Sequence, residues 1–152
     1  MAKTFSTMVS LQNYVESACS KAVKETSNIL VEKLKDLIQT RYYDLFDPNV
    51  YIRTEAFLRS AVANMIDSNT ASIGIDEAFM DYQYPANYRL QDSTIGHWTG
   101  EDQANMAERG YHGTYYIHTD GHYWSEFVQW CDKNAISILR ENLIKAGLTL
   151  SK

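Results

Sequence analysis

The sequence predicts an α+β fold: a long N-terminal helix packed on a small antiparallel sheet, with additional C-terminal helices. Three observations carry that prediction. Apolar residues recur at helical spacing from Met8 to Thr40. Two short alternating segments flank the turn-rich run Asp67-Ser68-Asn69-Thr70. A second helical stripe runs from His122 to Lys145. With 152 residues, 45% of them hydrophobic and 22% charged, the chain reads as a single domain spanning 1–152. A chain of this size buries enough surface to fold without a disulfide or a metal.

The first helix is expected over Met8 to Thr40. Leu11, Val15, Ala18, Cys19, Ala22, Thr26, Ile29, Leu30, Leu34 and Leu37 share one side. Ser17, Lys21, Lys24, Glu25, Asn28, Glu32 and Lys35 share the other. No Pro or Gly interrupts the run, and Lys21 and Glu25 are spaced to pair. At about 1.5 Å per residue the helix reaches roughly 50 Å, more than a domain this small needs to cover its own core. The surplus and the broad stripe point either to a partner surface or to a helix clamped across a sheet.

Asp47-Pro48 is a stop signal, because Pro cannot continue a helix. Tyr51 to Arg59 reads as a turn or a short helix. Ser60 to Asp67 and Ala71 to Asp76 read as two strands of a hairpin. In the second, Ile73 and Ile75 alternate with Ser72, Gly74 and Asp76, as a strand with one buried face requires. Between Glu77 and His97, Tyr82 and Tyr84 fit either a third strand or an aromatic loop. Thr99 is an expected N-cap followed by Glu101 and Asp102, whose charges suit a helix N-terminus. That helix is expected to run to Arg109 and stop at Gly110. In the last helix Trp124, Phe127, Val128, Cys131, Ala135, Ile138 and Leu139 share a side, and Asp132-Lys133-Asn134 is a possible break. Ala146-Gly147-Leu148 is the stop.

The net charge of −5 argues against gripping nucleic acid through its phosphates, which needs a basic patch. It is compatible with lining a channel through which DNA slides. Tyrosine is over-used, with 11 copies, and suits protein interfaces as well as half-buried cores. Cys19 and Cys131 are far apart and lie on apolar helix faces, so they read as buried free thiols of a reducing compartment. The first residues lack the apolar core of a signal peptide, and no run approaches the ~18 apolar residues of a membrane span. The expectation is a chain made and folded in a cytoplasm.

The sharpest constellation is His118-Thr119-Asp120-Gly121-His122. On an extended strand His118, Asp120 and His122 would face one way and could hold a metal with an open position. The plainer reading makes Asp120 the N-cap of the last helix. His97 and His112 are further candidate ligands that nothing in the sequence fixes in space. Neither a nucleophile elbow, nor a phosphate-binding glycine loop, nor an H-E-x-x-H zinc signature is present. Arg53, beside Tyr51 and Thr54, reads as part of a structural elbow between the first helix and the sheet.

Those elbow residues also carry a resemblance. The long helix, then Tyr51, Arg53, Thr54, Leu58 and Ser60, then a hairpin, is similar to tail-completion or head–tail joining (neck) minor structural proteins of long-tailed bacteriophages. Trp98-Thr99-Gly100, Ala104 to Gly110, His112-Gly113, Gly121-His122-Tyr123-Trp124 and the ending Lys145-Ala146-Gly147-Leu148 resemble versions from phages of Gram-positive bacteria. The chain departs from that pattern at Glu55, where many relatives carry Gly. The resemblance implies a virion protein assembled in the host bacterial cytoplasm. Copies would form a hexameric ring between the head connector and the tail tube or tail terminator. DNA would pass through without sequence-specific binding. Neither enzymatic activity, cofactor, metal nor membrane contact is implied. Two other readings stand beside it. One is a small metal-dependent enzyme using His118, Asp120 and His122; the other is a monomeric adaptor or inhibitor that binds one protein.

Overall fold

The computed structural model describes residues 4–46, 55–80, 99–111 and 118–150. The elbow residues Asp47, Pro48, Tyr51, Arg53 and Thr54 lie outside them, as do Tyr82, Tyr84, His97, Trp98, His112 and Gly113.

Helix α1 spans Met8–Ile38. Thr7 caps it: its hydroxyl accepts from the Ser10 amide, and the Ser10 hydroxyl accepts from the Thr7 amide in return. The helix widens into a π turn over Gln39–Tyr43, closed by the Asp44 amide donating to the Gln39 carbonyl at 2.8 Å. Helix α2 is one turn, Ala56–Arg59, entered from Glu55 in the left-handed region at φ 55°. A glycine takes that conformation without the Cβ penalty, so the departure from the expected Gly falls where a side chain is strained.

Strands β1 (Ala61–Met65) and β2 (Ala71–Ile75) form the expected antiparallel hairpin, with Ala63 opposite Ile73. The turn between them is tied by Asp67, whose carboxylate accepts from the Asn69 amide at 2.7 Å. That bond holds the Asp67 carboxyl below its usual range. A 3₁₀ turn follows at Glu77–Met80. Helix α3 is Gly100–Glu108, capped by Thr99 as the sequence indicates; the Asp102 carboxylate also accepts from the Thr99 amide, completing a reciprocal cap. Helix α4 is Tyr123–Lys145 and is unbroken. The possible break at Asp132-Lys133-Asn134 does not occur; there the Asn134 side-chain amide donates to the Trp130 carbonyl at 2.7 Å within the continuous helix. The helix stops at Gly147, with the Leu148 amide donating to the Leu143 carbonyl at 3.1 Å.

The long helix does pack on the hairpin, but its principal neighbour is α4. The core forms where the C-terminal half of α1 meets both. Leu34 and Ile38 are fully enclosed, and Leu30, Val31 and Leu37 surround them. Each such side chain contributes about 1.5–3 kcal/mol on burial. Edge-to-face rings join the elements: Tyr43 to Tyr42, Tyr42 to Phe57 of α2, and Phe57 to Tyr123 of α4, with centroids 5.1–5.2 Å apart.

The expected α1 stripe is corrected at Ile29, Leu11 and Val15, which are exposed, and the expected α4 stripe at Val128. Cys19 and Cys131 are free but half-buried rather than enclosed. Burial, with the nearby Asp132 carboxylate, pushes the Cys131 thiol up. Lys21 and Glu25 do not pair. Among the described residues the ion pairs on α1 are Lys33–Asp36 at 2.6 Å and Glu32–Lys35 at 2.8 Å. No described helix is long and apolar enough to cross a membrane.

Candidate functional site

The segment expected to carry chemistry lies at the junction between α3 and α4. Helix α3 ends with the Tyr111 amide donating to the Met106 carbonyl at 2.8 Å, and Gly110 takes φ 82°. The chain returns at His118, which bridges Tyr111 in antiparallel fashion. The two rings meet edge-on, 4.9 Å apart. The Thr119 amide then donates to the Gly110 carbonyl and the His122 amide to the Glu108 carbonyl, both at 2.8 Å. This backbone clasp needs Gly110 and Gly121 together. Both have positive φ, and a Cβ on Gly121 would come within 2.6 Å of the Glu108 carbonyl oxygen.

The three candidate ligands are spread over separate contacts. His118 sits against Tyr111. The Asp120 carboxylate lies 3.7 Å from the Arg41 guanidinium. His122 enters α4 at φ 67°, with its Nδ1 3.9 Å from Glu108 Oε1. Among the described residues, no group of three His, Cys, Asp or Glu side chains is placed to hold a metal ion. His97 and His112 lie outside those residues.

Nor does Asp120 cap α4. The helix is capped from outside by Glu108, the last residue of α3. Its carboxylate accepts from the Trp124 amide at 2.8 Å, from the Ser125 amide at 3.3 Å and from the Ser125 hydroxyl. A carboxylate at a helix N-terminus satisfies free amides and complements the helix dipole. Arg41 completes the junction from the π turn of α1. Its Nε donates to Glu126 Oε2 at 3.0 Å, and its Nη2 lies 2.5 Å from Oε1, a two-pronged grip. The segment is a structural joint linking α1, α3 and α4.

The surface points elsewhere. Tyr14, Ala18, Ala22 and Thr26 share one face of α1. The Tyr14 hydroxyl donates to the Gly147 carbonyl at 3.0 Å, and Asn142 of α4 donates to Thr26 at 3.0 Å. Ala18 and Ala22, between them, are buried. Met8, Leu11 and Val15 continue that face toward the N-terminus. There α4 has already turned away at Gly147, so the apolar face overhangs its partner. Met8 is 77% exposed and the neighbouring Val9 66%. Sequence periodicity detects such a stripe but not where its cover ends.

A family model described as YomN matches residues 7–146. The chain belongs to the YomN family. This is a phage-associated family, YomN being the name of a phage-derived Bacillus protein. The YomN match begins at Thr7, the cap of α1, and ends at Ala146, the cap of α4, so it covers the fold from cap to cap. No curated protein and no solved structure matches the chain. YomN membership supports the phage association that the residues around the hairpin and the last helix suggest.

Proposed function

We propose that this protein is a non-enzymatic structural component of the phage particle, at the neck or tail terminus. Copies form a ring, a hexamer, that joins the head connector to the tail tube and lets DNA pass. The phage-associated family supports the setting. The observation that carries the assembly role is the overhanging face of α1. Met8, Leu11 and Val15 extend an apolar stripe past the end of the helix that covers the rest of it. An apolar face left uncovered by its own chain is a candidate protein contact. The negative net charge of −5 suits a wall past which DNA slides.

The test separates folding from assembly. Met8→Glu and Leu11→Glu place charge on the overhanging face; Met8 is 77% exposed and its variant keeps thermal stability within about 0.5 kcal/mol of the parent, whereas Leu11, 38% exposed, loses somewhat more. Entry into connector or tail complexes, read by co-sedimentation with those proteins, drops sharply. Undiminished entry by both variants contradicts the assigned surface.

A further inference from the structure

Among the described residues the hairpin is a two-stranded sheet with no strand paired to either outer edge. Its hydrogen-bonded rungs are fixed from the ends. The Asp76 amide donates to the Ser60 carbonyl at 2.7 Å, and the Ile66 amide to the Thr70 carbonyl at 2.9 Å. The register therefore pairs Val62 with Gly74 and Asn64 with Ser72 through the ladder. Ala63 and Met65 on β1, and Ala71 and Ile73 on β2, turn their amides and carbonyls outward. Among the described residues those outward groups have no hydrogen-bond partner.

Proteins usually guard such edges with charge, proline or a bulge. Neither Ala61–Met65 nor Ala71–Ile75 contains a charged residue or a proline. Beside β1 lies an open groove of about 290 Å³, with Asn28, Val31, Glu32 and Lys35 of α1 on one wall and Ala61 to Ala63 on the other. A strand pairs at about 4.8 Å from its neighbour, so a strand added to β1 would enter this groove.

The hydrogen-bonding pattern selects the occupant. Pairing β1 with β1 of a second copy, about a two-fold axis, leaves both β2 edges unsatisfied. Pairing β1 of one copy with β2 of the next satisfies both edges. It also keeps every strand antiparallel with all copies in one orientation. A contact of that head-to-tail kind repeats from copy to copy, and it closes a ring when the rotation between neighbours divides a full turn. We propose that β1 of each copy, seated in the groove beside α1, pairs with β2 of its neighbour to build a continuous intersubunit sheet. This rests on the ring reading above and names its subunit contact.

Proline at an outward-facing amide removes the intersubunit bond and spares the intramolecular ladder. Ala63→Pro spoils the β1 edge, and Ala71→Pro the β2 edge. Each variant alone is expected to be a folded monomer under conditions where the parent assembles. Mixed, they should form one-to-one heterodimers through the single intact pair of edges. Self-association of Ala71→Pro into dimers would replace this contact with the two-fold one. Rings from both variants would overturn the contact and leave the ring reading standing, whereas a parent that never assembles overturns both. Hydrogen exchange on the parent needs no variant. On assembly the Ala63, Met65, Ala71 and Ile73 amides should slow by on the order of tenfold or more. Unchanged exchange at these positions in assembled protein rejects the proposal.

Discussion

Glu108 holds the first turn of α4 from a different helix, through two amides and a hydroxyl. Glu108→Ala should therefore cost about 1–2 kcal/mol, as the loss of a good cap does. For a chain of this length each kcal/mol lowers the melting temperature by about 2–4 °C. An unchanged melting curve would show that water replaces the carboxylate without loss. Tyr123, on the same turn, is enclosed and donates its hydroxyl to the Ala104 carbonyl at 3.4 Å. Burial first, then the Glu108 and Glu77 carboxylates, raise its pKa well above the ordinary 10.0. The folded protein then keeps a proton that the unfolded chain gives up near pH 10. This contribution is intact below that pH and declines as pH rises toward the folded value, by up to about 1.4 kcal/mol per pH unit. Tyr123→Phe should lose less stability between pH 9 and 11 than the parent, as denaturant titrations at the two pH values would record. Equal losses would mean that Tyr123 ionises as freely folded as unfolded.

Among the elements, those set by local chemistry were legible. Thr99 with Asp102, and the stops at Gly110 and Gly147, are short-range patterns, and the structure places them as the residues indicate. Hairpin and turn follow from alternation and from Asp67. What the sequence concealed is long-range. Asp120 reads as a cap because it sits just ahead of the helix, whereas the clasp through Gly110 and Gly121 brings Glu108 to that end instead. Ile29 and Val128 obey the helical period yet face outward, because a stripe is wider than the neighbour that covers it. Asn142, polar and without any distinguishing local pattern, is buried against Thr26. That pair locates α4 on α1. Thr26→Val alone leaves the Asn142 amide unsatisfied and should cost about 1–3 kcal/mol. Adding Asn142→Leu removes the orphaned group and should restore part of that loss. Strict additivity of the two substitutions in denaturant titrations would refute the coupling.

At the scale of the whole molecule, the described residues hold more helix and more unpaired strand edge than their core uses. The first turns of α1 extend past α4, and among the described residues neither outer edge of the hairpin is paired with another strand. The His118, Asp120 and His122 segment contacts α1 and α3 where the chain enters α4. Replacing His118 and His122 together with Asn should leave particle assembly intact. A selective loss of assembly in a fully folded double variant would give those side chains a role beyond the joint. The most direct measurement is the solution mass by light scattering, alone and with connector and tail-tube proteins. The assembly reading requires a closed species near six times 17.4 kDa, or entry into a connector–tail complex. A mass of 17.4 kDa at every concentration and in every mixture would contradict it.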